Sequence, residues 1–81
     1  MNLPVTVRLY AAARSASGIS EVEVLPDRLE HILLSLAFGN PRLSQVFAQC
    51  TFLIDGISVH DMNVEVAAGS TIDILPPFAG G

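Results

Sequence analysis

The chain contains no lysine, one cysteine, two histidines and four arginines, and each shortage closes off a class of function. Without lysine, no side-chain amine on this molecule can accept an acyl group. With Cys50 alone there can be no internal disulfide, and no Cys/His cluster has the spacing of zinc ligands, so a reduced compartment, the cytoplasm, is the simplest expectation. Arg8, Arg14, Arg28 and Arg42 are scattered through a chain of formal charge −4. Nucleic-acid binding therefore lacks its electrostatic footprint, and the acidic balance favours locally basic partners. No apolar run approaches the ~18 residues of a membrane span. The N-terminal stretch alternates and carries Arg8 early, unlike the unbroken apolar core of a signal peptide. No glycine-rich loop opens a helix, so a phosphate cradle has no support.

What remains is short and apolar. Eighty-one residues allow one domain with one modest core, because a chain of this size buries only roughly 60% of its unfolded surface. A hydrophobic content of 51% excludes disorder and is compatible with apolar surface left over for a partner. There are no linkers, repeats or low-complexity segments.

Alternation marks the strands. From Pro4 to Tyr10, Val5, Val7 and Leu9 fall on one side and Thr6, Arg8 and Tyr10 on the other, a strand with one buried face. After the connection AAARSASGIS, with Ser17 and Gly18 as turn residues, Glu21 to Leu25 repeats the pattern, and a hairpin is predicted. The period then changes. Leu29, Ile32, Leu33 and Leu36 have helical spacing, predicting an amphipathic helix from about Asp27 to Phe38 with Asp27 as its cap and Glu30 closing a capping box. Gly39, Asn40 and Pro41 stop it, and Asn40 can cap a second short helical turn carrying Leu43, Val46 and Phe47.

Asp55-Gly56 between Phe52–Ile54 and Ile57–Val59 predicts a tight hairpin, since that dipeptide tolerates the positive backbone angles of a two-residue turn. The stretch 60–70 reads as irregular, pinned to the core by Val64 and Val66. Thr71 to Leu75 is the last strand, with Ile72 and Ile74 facing inward, and Pro76 ends it. The order is α+β, with a helix inserted between hairpins as a crossover and the first and last strands side by side in mid-sheet.

Self-contained catalysis has little to stand on. His31 and His60 lack a second ligand at metal spacing, apart from Asp61 beside His60, and are expected to be surface or half-buried histidines. Cys50, between Phe47 and Phe52, reads as a small core residue before a reactive thiol. The ending PPFAGG is different. Pro76 and Pro77 fix two backbone angles and so the direction of exit. Gly80 and Gly81, without side chains, fit a channel too narrow for other residues. Six residues reach up to ~20 Å if extended, enough to bring the α-carboxylate of Gly81 into another protein's pocket. A carboxylate must be activated before acyl transfer, most simply as an acyl-adenylate made from ATP, and can then become a thiocarboxylate. Leu75, on the face opposite Ile72 and Ile74, is expected to form an apolar patch at the tail's root with Phe78 and with Tyr10 or Leu53.

Three segments, VTVRLYAAAR, FLIDGISVHD and GSTIDILPPFAGG, resemble the MoaD/ThiS family of ubiquitin-like sulfur carriers, most of all the small subunits of molybdopterin synthase. The resemblance spans nearly the whole chain. It implies a β-grasp fold: a mixed sheet of about five strands packed on one main helix, with a domain over 1–75 and a flexible, protruding tail over 76–81. It also implies that the chain is not itself an enzyme but a carrier working in a partner's active site. Gly81 would be adenylated by an E1-like adenylyltransferase (MoeB-like), which consumes the ATP, and thiocarboxylated with the help of a sulfur donor protein. The tail would then enter the molybdopterin synthase large subunit (MoaE-like) and give sulfur to precursor Z. Pro76, Pro77, Ala79 and Gly80 would thread it, and Phe78 would sit in the partner's groove. No bound cofactor, metal, nucleic acid or membrane is implied. Ala79 departs from the small polar residue common at that position, and the AGG ending also resembles carriers of cysteine biosynthesis. The alternatives are therefore a carrier for cysteine or thiamine thiazole synthesis, and a β-grasp interaction module with an idle tail.

Overall fold

The computed structural model describes residues 3–77. Five strands form one mixed sheet in the order β2-β1-β7-β4-β5: β1 Val5–Leu9, β2 Glu21–Val24, β4 Thr51–Ile54, β5 Ile57–Val59 and β7 Thr71–Leu75. β1 and β7 run parallel in the middle and every other neighbouring pair is antiparallel, which is the β-grasp arrangement. Three short helices, α1 Ala11–Ser17, α2 Leu29–Leu36 and α3 Pro41–Phe47, contribute buried side chains to the core, and β3 Asp27–Arg28 pairs with β6 Glu65–Val66 in a separate two-stranded ladder.

The core follows from the alternation. Val5, Val7 and Leu9 on β1 and Ile72 and Ile74 on β7 are buried, and Leu29, Ile32, Leu33, Leu43 and Phe47 close over them from α2 and α3. Phe47 meets Phe52 of β4 edge to face, with ring centroids 6.2 Å apart. That geometry places the positive ring edge against the negative face and adds to the area buried.

Two sequence expectations need correction. The connection after β1 is a helix: AAARSAS forms α1, buries Ala13 and closes on Gly18, whose φ of 74° lets its N–H reach the Arg14 carbonyl at 2.8 Å. β1 and β2 do pair antiparallel, with that helix in place of a turn. The helical layer thus holds α1 and α3 beside α2, the longest of the three.

Asp27 does not cap α2, which begins at Leu29. The amide N–H groups of Leu29 and Glu30 donate instead to the carbonyls of Val64 and Met62, each at 2.9 Å. Asp27 belongs to β3, where its carboxylate accepts from the Arg28 N–H at 2.6 Å and from His31 Nδ1 at 3.0 Å. Chiefly the Arg28 amide, and then His31, hold its carboxyl below the ordinary 3.8. Because the folded-state value is the lower one, these bonds contribute stability at pH above the ordinary value, lost as pH falls through the lowered one.

Asn40 does cap α3: its Oδ1 accepts from the Leu43 N–H at 3.1 Å, while its Nδ2 donates to the Ala16 carbonyl of α1 at 3.0 Å. One side chain thus ties two helices together. Replacing it by alanine is expected to cost about 1–2 kcal/mol in chemical denaturation, and Asn40→Asp, which keeps the acceptor and loses the donor, should cost less.

Candidate functional site

The sheet has one face on the core and one in solvent, and the solvent face carries the residues assigned to docking. Pairing fixes which they are: Arg8 stands opposite Asp73, Asp73 opposite Leu53, and Thr51 opposite Leu75. Ile72 and Ile74 alternate to the core face and are fully buried, so Thr71, Asp73 and Leu75 point outward and are half-buried. Leu53 shares that face and is also half-buried. Tyr10 follows Leu9, the register partner of Ile74, and therefore stands at the level of Leu75. Its N–H donates to the Ile74 carbonyl at 3.2 Å, and its hydroxyl donates to Asp73 Oδ1 at 3.3 Å. The structure thus puts Tyr10, Leu53 and Leu75 on one face, with Tyr10 level with Leu75 where the chain leaves the sheet and Leu53 further back, opposite Asp73.

A polar web surrounds them that the sequence reading did not foresee. Arg8 lies 3.8 Å from Glu21 and 3.9 Å from Asp73, joining β2, β1 and β7 across the outer face. Such exposed pairs contribute little stability, so their value lies in orienting side chains. The signal was present in the alternation, which puts residues 8, 21 and 73 on one side, but not the register that brings them opposite one another.

β7 ends at Leu75, Pro76 is half-buried and Pro77 is exposed. Phe78, Ala79, Gly80 and Gly81 lie outside the described residues.

Other candidates separate cleanly. His31 bridges two neighbours: Arg28 Nη2 lies 2.9 Å from its Nε2. A guanidinium can only donate, so Nε2 accepts and Nδ1–H donates to Asp27, a structural role. Cys50 is half-buried beside a hollow of about 340 Å³ lined by Phe47, Phe52, Val59 and Met62, and burial pushes its thiol above the ordinary range, away from the reactive thiolate. His60 is exposed at the rim of the same hollow. Among the described residues no three His, Cys, Asp or Glu side chains gather as a metal site, and no helix is long and apolar enough to cross a membrane.

Comparison with known proteins bears on the same features. The model of the ThiS family matches residues 7–81, from the middle of β1 through the final glycine. The chain belongs to the ThiS family. This ThiS-family chain is thereby one of the small ubiquitin-like sulfur carriers of the ThiS/MoaD type. Among solved structures, it is similar to a molybdopterin converting factor subunit 1 from Pyrococcus furiosus, with a TM-score of 0.79 at 20% identity, covering 94% of this chain and 99% of that one. The small archaeal modifier protein 1 from Methanosarcina acetivorans matches with a TM-score of 0.76 at 28% identity over 100% and 99% of the two chains. A complex of subunits 1 and 2 of the molybdopterin-converting factor from Helicobacter pylori matches at 0.72 and 18% identity, over 98% and 100%. These likenesses bear out the β-grasp fold with its five-stranded mixed sheet. No curated protein matches the chain.

Proposed function

We propose that the chain is the sulfur-carrying small subunit of a molybdopterin synthase, with Gly81 as the carrier atom's anchor. The observation that carries this reading is the position of β7. It is the central strand, paired along both edges, and it runs directly into Pro76 and Pro77. A tail launched from the most firmly held strand has a fixed origin and direction, which a segment meant for another protein's active site requires.

The chemistry follows from the carboxylate. Its oxygen attacks the α-phosphorus of ATP in an E1-like, MoeB-like activating enzyme, giving the acyl-adenylate and releasing pyrophosphate. Sulfide, or a persulfide from a sulfur donor protein with a reductant thiol, attacks the acyl carbon and expels AMP, leaving a thiocarboxylate. In the MoaE-like large subunit that sulfur attacks a carbon of precursor Z, forming a C–S bond as an oxygen substituent leaves that carbon. Hydrolysis of the acyl link returns the carboxylate, and two such cycles supply both sulfurs of the dithiolene. The chain holds no cofactor of its own; ATP is consumed by its activating enzyme, and the setting is cytoplasmic. Leu53, Leu75 and Tyr10 form the seat against the partner, Phe78 fills its groove, and Pro76, Pro77, Ala79 and Gly80 thread the passage.

Incubation with ATP, a cognate activating enzyme and a sulfur donor should yield a mass gain of one sulfur-for-oxygen exchange at Gly81. Addition of the large subunit and precursor Z should then discharge it. No exchange would sink the carrier chemistry; exchange without discharge to precursor Z would move the assignment to another acceptor. Ala79 favours a second reading, a carrier for cysteine or thiamine thiazole synthesis. The likeness to a protein described as a modifier adds the amine of another protein as an acceptor to be assayed alongside.

A further inference from the structure

The end of the sheet from which the chain departs carries two of the molecule's four cations, all of them arginines. Arg8 stands opposite Asp73, two residues before Leu75, and Arg8, Tyr10 and Arg14 of α1 line one hollow of about 320 Å³. Tyr10 ties that hollow to the tail root, since its N–H donates to the Ile74 carbonyl at 3.2 Å. Six tail residues span up to ~20 Å, so both positions fall within the reach of the Gly81 carboxyl.

Neither position uses what distinguishes a guanidinium in recognition. Arg8 lies 3.8 Å from Glu21 through Nε and 3.9 Å from Asp73 through Nη1. Those are separations of plain charge attraction, longer than the paired hydrogen bonds that a planar fork makes with a carboxylate. Arg14 is exposed and enters no ion pair among the described residues. An ammonium would serve as well at either place. What a lysine would add is a nucleophile: with a pKa of about 10.4 it holds roughly 0.1–1% free amine at mildly alkaline pH, whereas arginine stays protonated.

A free amine there would attack the acyl carbon of the adenylate. The amide C–N bond forms as the C–O bond to phosphate breaks, AMP leaves with the electron pair, and solvent takes the proton. The chain is then closed on itself. At the millimolar effective concentration of a short tether, this step competes with any encounter with a second protein at micromolar level. The other nucleophiles at this end leave no lasting bond. Cys50 precedes Thr51, the register partner of Leu75, but its thiol is half-buried and a thioester on it is exchangeable. The Tyr10 hydroxyl is engaged by Asp73, and an acyl group on the His60 imidazole passes on to water or a thiol. The α-amine lies on the Met1 side of Leu3, which leads into β1 at the opposite end of the parallel pair.

On the reading of Gly81 as the activated residue, we propose that Arg8 and Arg14 determine where its acyl group can go. They supply the positive charge beside the tail root in a form that resists acylation, so activated Gly81 is discharged onto another molecule and not onto its own chain.

The full chain prepared as an α-thioester at Gly81, by thiol cleavage of an intein fusion, tests this without an activating enzyme. At about 5 μM protein and about pH 8, the parent should only hydrolyse to the free acid. Arg8→Lys and Arg14→Lys should instead give a product one water lighter than the free acid, at a rate independent of protein concentration and at least about tenfold above that of Arg28→Lys. Arg28 is the remote control: it follows β2, whose last residue, Val24, pairs with Val5 at the far end of β1. Fragmentation mass spectrometry should place the new bond between Gly81 and the substituted position. Melting temperatures of the two tail-root variants should stay within about 2 °C of the parent, because both side chains are exposed. Hydrolysis alone in both variants, closure of the Arg28→Lys chain at the same rate, or a lasting internal bond in the parent overturns the proposal. The sulfur-exchange assay is read on the parent with its activating enzyme, so its failure is seen separately and leaves these outcomes unchanged.

Discussion

Removal of Gly81 is expected to abolish sulfur transfer while the domain melts as before. Deletion moves the terminal carboxylate back by one residue, about 3.5 Å along an extended chain. Since a misplacement of about 1 Å at a reacting atom can cost ~10²-fold in rate, transfer should drop to background. Gly80→Val poses a finer test, because the carboxylate stays at full reach and only a branched side chain is added beside it. A narrow passage predicts a loss of ~10²-fold or more, measured as single-turnover discharge of the thiocarboxylate to precursor Z. In both variants the melting temperature should stay within about 2 °C of the parent, because terminal residues contribute little to stability. A chain lacking Gly81 that still transferred sulfur would falsify the carrier assignment and favour an interaction module with an idle tail.

The largest effect on stability should come from Ile74→Ala. Ile74 is fully buried, sits on the central strand between Leu9 and Phe52, and has side chains of α2 and α3 above it. Truncating such a residue removes its transfer free energy and leaves a cavity that paired neighbours cannot fill, about 3–4 kcal/mol. For a domain of this size the whole stability is about 4–12 kcal/mol. The melting temperature should therefore fall by roughly 15–25 °C, at about 4–8 °C per kcal/mol. Ile57→Ala, with the same residue types on the exposed strand β5, should cost under about 0.5 kcal/mol. A loss below about 1 kcal/mol at Ile74 would mean that the core relaxes around the cavity, against the tight packing of β7.

Strands were legible because one face is wet. Val5, Val7, Leu9 and Ile72, Ile74 keep strict alternation, and Asp55-Gly56 adopts φ values of 50° and 83°, the turn its residue types suggest. Asp55 also accepts from the Thr71 N–H at 2.9 Å, fastening that turn to β7. The helix α1 was not legible, since AAARSAS has little contrast between faces and only Ala13 is buried. Asp27 misled for a different reason: a capping residue is recognised locally, whereas the first amides of α2 are satisfied by carbonyls of Met62 and Val64, far along the chain. The same limit hid the web of Arg8, Asp73 and Tyr10, which depends on the register of strands from opposite ends of the sequence. That Tyr10, Leu53 and Leu75 stand on the outer face followed from parity alone.

The parallel pairing of β1 with β7 also governs when the protein becomes usable. Its two central strands are the first and last of the described strands, so the sheet cannot close until the chain through β7 has been delivered, and the long-range contact must first overcome the entropy of closing that loop. The hairpin of β4 and β5 can form early, but it has no central strand to dock on until β7 arrives. Folding is thus timed to end at the strand that launches the tail. A chain cut short of β7 has no finished sheet from which Pro76 and Pro77 could leave in a fixed direction.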